Sequence, residues 1–102
     1  MPGVAILHVD GDLRAPMPDA LRAAVERLLC HGARQILLNL AGVRGLDAAG
    51  VGHLVHLRNS AAAYGAVLRI ADVPVRARAM INRAGLFELL SGQAEWRWLE
   101  AV

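Results

Sequence analysis

The sequence predicts a single α/β domain, a small mixed β-sheet with α-helices packed on it. Short apolar, β-branched runs alternate along the chain with stretches whose apolar residues recur every three or four positions, and glycine or proline stands at most of the boundaries between them. The 102 residues suffice for one hydrophobic core and leave no room for a second, so residues 1–102 are read as one domain.

Val4 to Val9 is the first strand, and Asp10-Gly11-Asp12 is a turn signal leading into a short extended piece that ends near Arg14. So short a connection predicts an antiparallel first pair, hence a mixed sheet. Pro18 then fits the first position of a helix, where its missing N–H would have no partner. Leu21, Ala24, Val25, Leu28 and Leu29 form its apolar stripe, Arg22, Glu26 and Arg27 lie opposite, and the helix ends near Gly32.

Gln35 to Leu40 shows no helical phase and reads as a buried strand between Gly32 and Gly42. The second helix is expected from Ala48 to Tyr64, with Val51, Leu54, Val55, Ala61 and Ala62 inward and Gly65 as its left-handed stop. On its wheel Ala49, His53, His56 and Ser60 face outward, whereas Arg58 falls in the inward stripe, where a long side chain can snorkel or meet a carboxylate. Val67 to Ile70 is a further strand, and Pro74 opens a third helix through about Arg83. Glu95-Trp96-Arg97-Trp98-Leu99 alternates as a last strand would. The expected order is β, β, α, β, α, β, α.

Charge and composition narrow the function. Eleven arginines and no lysine oppose nine acids, for a net charge of only +2, and the arginines are spread along the chain apart from Arg76, Arg78 and Arg83. Phosphate tracking needs several cations on one face, so nucleic acid is not an expected partner. Cys30 is the single cysteine, which rules out an internal disulfide and suits a reducing, cytoplasmic compartment. Neither a signal peptide nor a membrane-spanning run is expected, because the N-terminus lacks a basic segment ahead of a long apolar one.

Enzyme motifs are missing as well. Gly50-Val51-Gly52 lacks the third glycine of a dinucleotide loop, and no Gly-Lys-Ser/Thr is available for a nucleoside triphosphate. Cys30 and His31 are adjacent at a helix end and point apart, so they make no nucleophile and base. His53 and His56 have a metal-ligand spacing with no third ligand obliged to join them. Asp10, Asp12, Asp47 and Asp72 could gather near strand ends, but turn and cap duties account for each. No catalytic residue, metal or cofactor is expected.

The central segment Ile36-Leu37-Leu38-Asn39-Leu40-Ala41-Gly42-Val43-Arg44-Gly45-Leu46-Asp47-Ala48-Ala49-Gly50-Val51-Gly52 is a buried strand, a turn, an Asp, two small residues and a Gly that opens a helix. Asp47 can accept from the free N–H groups of the next turn, while Ala48, Ala49 and Gly50 keep that turn sterically open. This segment, with Gly11-Asp12-Leu13 before it and Ala84-Gly85-Leu86-Phe87 after it, resembles the STAS domain family, and in particular bacterial anti-sigma factor antagonists.

The resemblance implies a non-catalytic regulatory module that binds protein through the start of the second helix, at Asp47, Ala48, Ala49, Gly50, His53 and His56. Its implied partner is an anti-sigma factor or a GHKL-type kinase. In that family the second small residue after the Asp is typically a phosphorylated serine, and here the phosphosite-equivalent position is Ala49, which has no acceptor oxygen. The chain has no threonine, and its only serines are Ser60 and Ser91. Binding would then be permanent, or the protein would serve as a scaffold of the stressosome type, with a second copy of itself as a further implied partner. Stand-alone STAS proteins also serve as subunits of ABC-type lipid transporters, a branch that Leu54-Val55-His56-Leu57 mildly resembles.

Overall fold

The computed structural model describes residues 4–14, 19–86 and 90. Three strands, β1 (Val4–Asp12), β2 (Gln35–Gly45) and β3 (Val67–Ala71), alternate with three helices, α1 (Asp19–Cys30), α2 (Ala48–Ala63) and α3 (Val75–Arg83). The sheet order is β1-β2-β3, and both pairings are parallel.

The α/β class is therefore correct, whereas the expected antiparallel first pair is not found. Asp10-Gly11-Asp12 makes no hairpin. The chain stays paired with β2 through Asp12, absorbing the turn signal as register shifts between His8 and Asp10 and between Gly11 and Asp12. Gly11, at φ 91°, supplies the backbone conformation the irregularity needs. Leu13 continues the run, its N–H donating to the Gly45 carbonyl at 2.8 Å. Because β2 extends to Gly45, the first strand keeps a partner for its backbone groups well past Val9, and pairing prevails over the local turn preference.

Parallel crossovers are almost always right-handed, and two of them in one direction put α1 and α2 on one face of the sheet, where their residues share one core. The burial pattern agrees: Val9, Ile36, Leu38, Leu40, Leu68 and Ile70 are buried toward the helices. Val25 and Leu29 of α1, Leu54 and Leu57 of α2 and Ile81 of α3 close over them. On the opposite face Val4 and Ile6 remain more than half exposed.

All three helices stop in the same way. Beyond α2, Gly65 takes φ 77°, its N–H donates to the Ala62 carbonyl and the next N–H, of Ala66, to that of Ala61. Gly32 and Gly85 repeat the pattern after α1 and α3. Residues 95–99, expected as a strand, lie outside the described residues, as does Pro18.

Candidate functional site

The expected docking site is where β2 turns into α2. Asp47 is the N-cap in an extended conformation, and its Oδ1 accepts from the Gly50 N–H at 2.7 Å while its carbonyl accepts from Val51 at 3.0 Å. The carboxylate thus satisfies one orphan N–H of the first turn, and the carbonyl accepts the first intrahelical bond. Ala48 and Ala49 follow on the surface, both exposed.

Gly50 and His53 behave differently from the expectation. Gly50 is buried because α2 rests on the end of β1: a Cβ at this position would run into the Leu13 carbonyl oxygen and lie 2.7 Å from Leu46 Cδ1. Gly50 therefore supports the surface from beneath and forms no part of it. The inward face of α2 also differs from the expected stripe. Leu57 is buried, Val55 is half-buried, and Ala62, expected inside, is exposed.

His53, one turn beyond Gly50, is half-buried, and its Nε2 is enclosed without a hydrogen-bond partner among the described residues. It is not the outward-facing residue the wheel suggested. His56 is exposed, and so is Gly52, whose Cβ would meet nothing within 4 Å. The surface at the helix start thus runs over Ala48, Ala49, Gly52 and His56. Arg58 is only partly buried, with Nη1 donating to Asn59 Oδ1 at 3.4 Å, so its head reaches out of the inward stripe.

Other residues with chemical potential have structural partners. The His31 Nδ1–H donates to the Arg27 carbonyl at 2.7 Å, and Cys30 Sγ lies 3.8 Å from the Tyr64 hydroxyl, so Cys30 and His31 engage different neighbours. That thiol raises the Tyr64 phenol above its usual pKa. Asp12 accepts from the Arg14 N–H and pairs with its guanidinium at 3.3 Å. Asp72, at φ 51°, accepts from Asn39 Nδ2 and ties the end of β2 to the turn after β3. Among the described residues no group of three His, Cys, Asp or Glu could hold a metal ion, and no helix is long and apolar enough to cross a membrane.

The family whose description reads "Mlab, STAS domain" matches residues 2–91. The chain belongs to the STAS family. Its STAS fold is similar to the SulP transporter STAS domain from Vibrio cholerae, at TM-score 0.72 and 20% identity, covering 100% of this chain and 88% of that one. It is also similar to a sulfate transporter family protein from Wolinella succinogenes, at TM-score 0.70 and 22% identity, covering 91% of this chain and 75% of that one. No curated protein matches this STAS domain by sequence.

Proposed function

We propose that this STAS domain is a non-catalytic docking module that holds a partner protein on the first turns of α2 and holds it constitutively. The observation that carries the reading is the build of that surface. A buried core of Gly50 and Val51 fixes the helix start, the Asp47 carboxylate caps it through the Gly50 N–H, and Ala48, Ala49 and Gly52 leave the backbone accessible above it. Small side chains at a rigid helix end give close approach without side-chain ordering cost. With Ala49 at the position where antagonists of this family carry a phosphoserine, the surface has no charge switch.

Two partner classes fit. The matched family description, which carries the name Mlab, and the transporter origin of both similar structures support a transporter-associated subunit, the ABC-type lipid transporters being the branch that Leu54-Val55-His56-Leu57 resembles. The run from Asp47 to Gly50 and its flanking motifs support an anti-sigma factor or GHKL-type kinase instead. Titration against whichever of these the genomic neighbourhood encodes separates the two readings. Ala49→Glu tests the surface itself. A carboxylate there suits the helix dipole but is left unpaired under a packed partner, so binding should weaken by roughly a hundredfold, equivalent to about 3 kcal/mol, with the circular dichroism spectrum unchanged. A variant that binds as tightly as the parent would move the docking face elsewhere.

A further inference from the structure

Parallel strands deliver all their carboxyl ends to one edge of the sheet. Here that edge holds a crevice of about 310 Å³ lined by Arg14, Arg44 and Arg76, with Gly45, Leu46 and Ala77 among its remaining walls. The three cations come from three parts of the chain: Arg14 from just after β1, Arg44 from the end of β2, and Arg76 from the first turn of α3. Their convergence is a product of the fold.

Gly45 sets the spacing. A Cβ there would fall 2.7 Å from Arg14 Nε and Nη2 and from Asp12 Oδ1, so the Arg14–Asp12 pair lies directly over bare backbone. That pair is about 60% exposed on both sides, and an exposed ion pair is weak enough to be shared with an incoming anion. Neither Arg44 nor Arg76 has an ion-pair partner among the described residues. Three arginines thus line the crevice, none of its lining residues is acidic, and Asp12 is the carboxylate engaged with Arg14. The start of α3 adds no competing acid, for Pro74 makes no side-chain cap and the first turn has no acidic residue.

We propose that this crevice is a binding site for a dianionic oxyanion of the phosphate class, either free phosphate or a phosphate monoester. Arg44 and Arg76, the two lining arginines without an ion-pair partner among the described residues, match a dianion in charge. Guanidinium groups give forked, charge-assisted hydrogen bonds suited to tetrahedral oxygens. The site lies beside the docking surface and is independent of it, since the Ala48 and Ala49 side chains take no part in it.

The test is amide NMR titration of the isolated protein with inorganic phosphate, and separately with phenyl phosphate, against sodium chloride at matched ionic strength. Saturable shifts in the low-millimolar range at Gly45, Arg76 and Ala77 are expected with phosphate and absent with chloride. Stronger binding of phenyl phosphate would identify the monoester as the ligand type, and equal or weaker binding the free anion. Arg44→Gln/Arg76→Gln should bind roughly tenfold or more weakly, because each substitution removes a charge-assisted contact. Both arginines are exposed, so an unchanged melting curve checks the fold. Shifts that are non-saturable or equal to those with chloride overturn the proposal. So does a folded double variant that binds as the parent does.

Discussion

Gly50 and Gly52 lie two residues apart in α2, and the same substitution should have opposite effects at them. In a helix interior, Gly→Ala gains about 1 kcal/mol from backbone entropy alone. At Gly52 nothing lies within 4 Å of the new Cβ, so that gain should appear undiminished. At Gly50 the Cβ meets the Leu13 carbonyl oxygen and sits 3.1 Å from the Leu13 carbonyl carbon. Those are backbone atoms of a residue that is 1% exposed and tied to Gly45, so they cannot move aside as a side-chain tip would. Overpacking of this kind costs about 1–3 kcal/mol, and contact with backbone puts it at the upper end, leaving a net loss of about 2 kcal/mol after the propensity gain. At about 4–8 °C per kcal/mol for a domain of this size, Gly52→Ala should melt higher than the parent and Gly50→Ala roughly 10 °C lower. Thermal unfolding followed by far-ultraviolet circular dichroism reads both. If the two variants shift in the same direction, α2 does not rest on the end of β1 as described.

Asp47→Ala should cost about 1 kcal/mol by leaving the Gly50 N–H without its acceptor, and Asp47→Asn should recover most of it; urea unfolding measures the difference. Incubation with a GHKL-type kinase should place no phosphate on residues 47–52, which intact mass and peptide mapping would show. Ala49→Ser should supply an acceptor hydroxyl there if the kinase recognises this surface.

What was legible in the sequence was local. Asp47 followed by three small residues specified an N-cap and a tight helix start, and the structure has both, because capping depends on the next few residues alone. The Leu21, Val25 and Leu29 stripe and the glycine stop at Gly65 were readable for the same reason. What depended on distant parts of the chain was not. Asp10-Gly11-Asp12 has the composition of a turn, and only the unexpected length of β2 keeps it in a strand. The wheel of α2 placed Ala62 inside and His53 outside, since nothing local revealed that Gly50 would be pressed onto Leu13 or that Leu57 and His53 would turn inward. The crevice was equally hidden. Arg14, Arg44 and Arg76 are separated by some thirty residues at each step, and the cluster visible in the sequence, Arg76 with Arg78 and Arg83, is not the one that lines it. The remaining clue was positional, since Arg14 and Arg44 stand where two strands end, and parallel pairing would have brought those ends together.

The central claim is that partners dock on the start of α2, and amide exchange mapped over the whole chain with and without the bound partner tests it most directly. Protection should concentrate on the first three turns, at Ala48, Ala49, Gly52 and His56. Protection confined to the open face of the sheet, at Val4 and Ile6, with the α2 amides unchanged, would contradict it.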